Sequence, residues 1–305
     1  LQARSHDFAL VKYEEANTKL HIGAGYNQIG ENISGNVYQI ASQYKTAQML
    51  RYQFKKQATE LAFLFWNNGR ETLRTDSTGK IIDQEMHYMQ TIGFPTLSYS
   101  FPDNTVLSGF AYFQTGRDIA GKAVRAYDVS LQAQTIALGD SKSSMLKLTL
   151  GAELLSGTNS FIEKSFNHSF TPLYGTNHVH NGYMDYFYVG GRFENSLGLT
   201  DVFLRSRYDS PSKWFIAGDI HYFSSAEPAH IGNEVLSKHL GIELDLTYGT
   251  VISTDVSLQI GYSQMFASET LKTLQSGSAS SNQNWAYVMF IVRPKSDKKF
   301  IGVMP

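Results

Sequence analysis

Along most of the chain, apolar and polar residues alternate with a period of two rather than 3.6, the pattern of strands with one apolar and one polar face. In YDVSLQAQ (127–134), Tyr127, Val129, Leu131 and Ala133 fall on one side and Asp128, Ser130, Gln132 and Gln134 on the other. LKLTLGAEL sets Leu146, Leu148, Leu150, Ala152 and Leu154 against Lys147, Thr149, Gly151 and Glu153. A Gly-Asp-Ser-Lys turn at 139–142 separates the two segments and predicts a hairpin. The same alternation runs through DVFLRSRY, WFIAGDIHYF, LGIELDLTYG and VSLQIGYSQ. Weaker candidates lie near 8–13, 19–27, 44–54, 60–67, 86–92, 94–101, 106–114 and 284–292, which brings the expectation to about fourteen strands.

The connections fall into two classes: short turns at 102–105, 209–212 and 250–254, and long polar stretches at 28–43, 68–85, 155–197, 224–238 and 268–283. Short turns at one end and long loops at the other mark an up-and-down antiparallel barrel that crosses a membrane. The apolar faces begin or end in rings, at Tyr127, Tyr208, Trp214, Tyr222, Tyr248, Tyr262 and Trp285. Rings in such places suit the aromatic girdles of a lipid–water boundary. The opposite faces carry charges that a packed, water-excluding core would tolerate only if paired. The predicted lumen-facing set is Arg51, Asp128, Lys147, Glu153, Asp201, Arg205, Arg207, Asp219, His221, Glu243 and Asp245. It is mixed and slightly acidic, so an open pore is expected to select ions only mildly.

Composition narrows the possibilities. A chain of 305 residues with no domain-separating linker reads as a single barrel domain over 1–305. Charged residues make up only 17%, against a usual ~25%. A net charge of −1 gives no basic field for nucleic acid. With no cysteine, thiolate metal sites, thiol nucleophiles and disulfides are excluded. The chain opens on Leu1 without a signal-like segment, which is read as a removed leader or a fragment.

The segment 155–197 is too long for a featureless connection and too rich in Leu, Phe, Tyr and Met for a disordered one. It is expected to fold back into the lumen as a constriction formed by Tyr174, Asn177, His178, His180, Tyr183, Asp185 and Tyr186. A metal at His178 and His180, with His168 or Asp185 in support, lacks a ligand-spacing rule, so no metal or cofactor is expected. Hydrolysis at His221 with Ser224 or Ser225 lacks a GxSxG elbow, and Glu243 with Asp245 reads as ordinary lumen charge rather than a glycosidase pair. No enzymatic activity and no catalytic residue are expected.

FTPLYGTNHVHNGYMDYFYVG (170–190) closely resembles a signature of the alginate-export-like outer-membrane barrels of Bacteroidota. Further pieces resemble the same family in order: ELAFLFWNNG (60–69), YMQTIG (88–93), YFQTGRD (112–118), GAELLSGTN (151–159), GIELDLTYG (241–249), GYSQMFASETLK (261–272) and NWAYVMF (284–290). The resemblance implies a porin-like channel in the outer membrane of a Gram-negative bacterium, with lipid around it and polar solutes or anionic polysaccharide passing through. It also leaves open a non-conducting barrel that joins other outer-membrane proteins. Relatives generally carry further strands before the point where this chain begins, which would raise the count to sixteen or eighteen. Where they carry a Lys-Phe pair after the loop Asn-His, this chain has Val179-His180.

Overall fold

The computed structural model describes residues 6, 8–27, 44–140, 143–159, 161, 163, 165–174, 178, 180–187, 196–275 and 282–293. The protein is all-β. Its strands are β1 (Phe8–Glu14), β2 (Thr18–Tyr26), β3 (Thr46–Lys56), β4 (Thr59–Thr75), β5 (Ile81–Ser100), β6 (Val106–Arg117), β7 (Ala123–Gly139), β8 (Met145–Leu155), β9 (Phe166–Asn167), β10 (Leu199–Asp209), β11 (Trp214–Ser224), β12 (His230–Ile231), β13 (Glu234–Val235), β14 (His239–Val251), β15 (Val256–Ala267) and β16 (Asn282–Val292). One sheet holds fourteen of them. Thirteen follow one another as an antiparallel meander, β1–β8, β10, β11 and β14–β16, while β9 pairs in parallel with β7. The small β12–β13 hairpin stands apart. Among the described residues, β1 and β16 are not paired with each other.

The expected number of strands is met with a different membership. Segments 86–92 and 94–101 are one strand, β5, whose pairing slips past a bulge between Gly93 and Thr96. The stretch 68–85, expected as a loop, is strand to Thr75 and again from Ile81, so β4 and β5 form a long hairpin. Its polar run Asn67-Asn68-Gly69-Arg70-Glu71 has no apolar face, so period two leaves no trace there. Within 268–283, Ser268 caps a short helix, α1 (Glu269–Leu274), its hydroxyl accepting the Leu271 N–H. The long stretch 28–43 and part of the 139–142 turn lie outside the described residues.

The sheet is rolled. Laid flat, β1 and β16 would stand twelve strand spacings apart, roughly 58 Å at ~4.8 Å each. Yet His6, two residues before β1, packs its ring 4.7 Å from Tyr174, and His178 stacks 4.4 Å from Trp285 on β16. Four residues of chain span at most about 14 Å. The two ends of the sheet therefore curve toward a shared segment. Bulges between Ala62 and Leu64, Ile136 and Leu138, and Phe223 and Ser224 add local twist that favours this curvature.

The rolled sheet has an unusual polarity. On the outer face Leu131, Leu150, Ile216, Leu246, Val288 and Phe290 are exposed, with 64% of the Phe290 surface accessible. On the inner face Asp201, His221, Glu243 and Asp245 are buried. Inner glycines receive rings from neighbouring strands: Gly93 meets Tyr112, Gly151 meets Phe203, Gly249 meets Phe215 and Gly261 meets Tyr287. In each case a Cβ would collide with the ring, so the pair fills one position with one large side chain and no void. A compact apolar cluster lies inside, where Met89, Leu155, Phe223 and Met265 meet Phe170, Met184 and Phe187 of the 155–197 segment.

Candidate functional site

Residues paired across a ladder share a face. Asp201 pairs with Glu153, Arg205 with Asp219, Arg207 with Lys147, His221 with Glu243, and Asp219 with Asp245. Asp128 joins this face through Tyr112, Gly93 and Leu64, a row that continues to Arg51. All eleven charged residues selected from the alternation thus project from the inner face. Their interactions are more local than a free ring of charge. The His221 Nδ1 lies 2.9 Å from both carboxylate oxygens of Asp201, and both residues are 1% exposed. Arg205 lies 3.9 Å from Asp219, with its guanidinium over the Phe203 ring. Arg207 forks onto Asp209 on its own strand at 2.8 and 3.0 Å and covers the Phe215 ring. Asp209 did not stand out in the sequence because it falls at a strand end beside a turn.

The described residues of 165–187 touch this face from β4 to β16. Thr171 and Gln114 of β6 exchange two hydrogen bonds, each 2.9 Å. The Tyr174 hydroxyl donates to Asn68 on β4, and its ring packs against Trp66 at 5.3 Å and Tyr44 at 5.7 Å. Asn181, 3% exposed, directs its amide toward Asp201 at 3.4 Å and Glu153 at 3.5 Å. The Met184 N–H donates to Glu243 at 2.8 Å, and Phe187 packs on Phe223 at 4.4 Å.

The segment makes these reaches by tight turning. Tyr174, His178, Asn181, Gly182 and Asp185 all have positive φ. Side chains other than glycine rarely adopt that region, and Asn, Asp and His tolerate it best. His178 secures its own turn: its backbone N–H donates to Asp185 at 2.8 Å and its Nδ1 to the Tyr183 carbonyl at 2.7 Å. Gly182 has φ +84°, and a Cβ there would sit 2.6 Å from the Glu243 carboxyl. Both its freedom of φ and its missing side chain are therefore used. Burial, and then the Arg205 charge, hold His180 below the ordinary imidazole range. Burial pushes the Asp185 carboxyl and the Tyr183 and Tyr186 phenols up. Asn177, expected in the constriction, lies outside the described residues.

One expectation is corrected. Trp285 does not end an apolar outer face. It shares the inner face with Ser263 and Tyr287 and carries the stacked His178 ring, while Ala286, Val288 and Phe290 point outward. The ring was assigned by residue type alone; the alternation of WAYVMF puts it opposite Ala286 and Val288. Neither the metal set nor the serine–histidine set is brought together among the described residues. No group of three or more His, Asp or Glu side chains has metal-binding geometry. Asp185 turns to His178, whereas His168 donates its Nδ1–H to the Arg125 carbonyl at 2.9 Å. Ser224 pairs with Thr200 rather than facing His221, and the Ser225 hydroxyl turns to the Lys238 carbonyl. The residues that seat the segment without having been foreseen include Trp66, Asn68, Gln114, Phe223 and Gly182. Only Gly182, in an Asn-Gly pair, carried a local signal.

No protein-family model matches the chain, and no curated protein matches it.

Proposed function

We propose that this protein is an outer-membrane β-barrel channel that passes polar or anionic solutes, of the alginate-export type, narrowed by the 165–187 segment. The observation that carries this reading is the inverted polarity of the sheet. Exposed leucines, isoleucines, valines and rings recur along the outer face from β1 to β16, whereas the carboxylates lie inside. Soluble monomers rarely expose continuous apolar surface beyond a few hundred Å². A bilayer favours this exterior, and water inside favours the charges. Among the described residues no helix is long and apolar enough to cross a membrane. Passage is passive, with the polar inner wall replacing part of the solute's water. Because Arg207 is held by Asp209 and Arg205 lies beside Asp219, mild ion selectivity is expected.

A second reading is a non-conducting barrel that serves as a subunit of a larger outer-membrane assembly. The segment's contacts with β4, β6, β8, β10, β11, β14 and β16 support it, as a plug would need such contacts. Single-channel recording in a planar bilayer, with and without residues 172–190, separates the two. Discrete steps that grow on deletion support a constricted channel. Current that appears only after deletion supports the plugged barrel. Silence from both refutes the channel.

A further inference from the structure

Beside the seated segment, the inner wall leaves a half-enclosed cavity of about 380 Å³. This lies within the ~300–1,000 Å³ range of small-molecule sites. Its lining adds a row of hydroxyls to charges of the inner face. Thr96, Ser98, Ser108 and Ser130 bring hydroxyls from three adjacent strands, and Gln132 adds an amide. Phe110 supplies an aromatic ring among them. Among the described residues the hydroxyls of Thr96, Ser98 and Ser130 make no side-chain hydrogen bond, so they remain free for a ligand.

His180 and Asn181 of the segment also line the cavity, together with Glu153 and Arg205. The Arg205 Nε has no hydrogen-bond partner among the described residues. The ligand that satisfies this lining must both donate and accept at several points and present one apolar face to a ring. An anion meets Glu60 and Glu153 against a single guanidinium. An amine offers Arg205 no acceptor and uses only the accepting side of the hydroxyl row. A neutral polyol ring matches all three features: its hydroxyls bond to Ser, Gln and carboxylate groups, and its C–H face covers Phe110.

We propose that this cavity is a binding site for one neutral polyhydroxylated solute of about hexose size, held between Phe110 and the underside of the segment. The proposal rests on the reading of the interior as open to solute, but its test does not require conduction. Purified protein in detergent is titrated calorimetrically with glucose, glucuronate and putrescine as separate probes. Saturable glucose binding is expected, at least tenfold tighter than either charged probe. Ser130→Val and, separately, Phe110→Leu each weaken it at least fivefold, while Ser210→Ala, in a distant turn, leaves it unchanged. Retained heat-modifiable migration on a gel shows that each variant is folded. Absence of saturable glucose binding, glucuronate or putrescine binding more tightly than glucose, or glucose binding unaffected by both cavity variants would each overturn the proposal. Glucose binding by a protein silent in bilayers would sink the channel and leave the site standing.

Discussion

Replacing Gly182 by alanine tests the seat of the central segment at a single atom. Gly182 has φ +84°, which costs an L residue roughly 1–2 kcal/mol. The new Cβ would also fall 2.6 Å from the Glu243 carboxyl, which accepts the Met184 N–H at 2.8 Å. Displacing that carboxyl loses a buried hydrogen bond of about 1 kcal/mol. The seated state is therefore weakened by about 2–3 kcal/mol, a shift of roughly 30- to 150-fold toward the unseated segment. Gly232→Ala is the matched control, because Gly232 has φ +57° but open space around it. In bilayer recordings Gly182→Ala should show frequent openings to a larger conductance, and Gly232→Ala should behave as wild type. Identical records from the wild type and both variants, with heat-modifiable migration intact, would refute the reasoning that the Glu243 contact holds the segment down.

Three further outcomes follow from the same geometry. Leu131→Arg, on the exposed outer face near the middle of β7, should lower the stability of protein folded into lipid vesicles by ~2–4 kcal/mol in urea titrations, whereas an unchanged midpoint would exclude lipid at that position. His178→Ala removes the ring stacked 4.4 Å from Trp285 and should shift tryptophan emission and lower stability by about 1 kcal/mol; an unaltered spectrum would show that the stack does not form. His180 has its pKa lowered from 6.5 in the seated segment, so the unseated form binds more protons just below that value. Seating is then fully stable above pH 6.5 and weakens as pH falls through it toward the lower seated pKa, where openings should become more frequent. Asp185, raised from 3.8, has the opposite sign and acts in the more acidic window just above that value. His180→Asn should remove the response near pH 6.5, and its persistence would assign that response elsewhere.

The strands could be read from the sequence wherever one face is apolar. β7, β8, β14 and β15 alternate cleanly because one side of each faces outward with leucines, isoleucines or tyrosines and the other carries polar groups or glycine inward. The outer half of the β4–β5 hairpin could not be read this way, since Asn67 to Glu71 are polar on both faces and the strand there is held by ladder pairing and by the Lys45–Glu71 ion pair at 2.6 Å. The direction of the eleven inner charges followed from parity alone. Their partners did not: Asp209, Asn68 and Gln114 are ordinary polar residues until the rolled sheet brings distant strands around one segment. Trp285 shows the opposite failure, where the identity of a ring outweighed a parity that pointed inward. The joints between Gly151 and Phe203 and between Gly249 and Phe215 also escaped notice, because each glycine is explained only by a side chain on another strand.

The order of assembly follows from where the central segment lies in the chain. Each meander strand pairs with the meander strands before and after it, so most of the wall can zip hairpin by hairpin through contacts of short range, with the β8–β10 pair closing the longer 155–197 connection. The segment 165–187 stands between β8 and β10, but its seat includes Glu243 and Trp285, which arrive on β14 and β16. The contacts of Thr171 with Gln114 and of Tyr174 with Asn68 need only earlier strands, but those of Met184 and His178 must wait until β14 and β16 are in place. Completing the dock of this segment is thus the closing step of assembly, and a wall missing β14–β16 would lack both Glu243, against which Gly182 lies, and Trp285, on which His178 stacks.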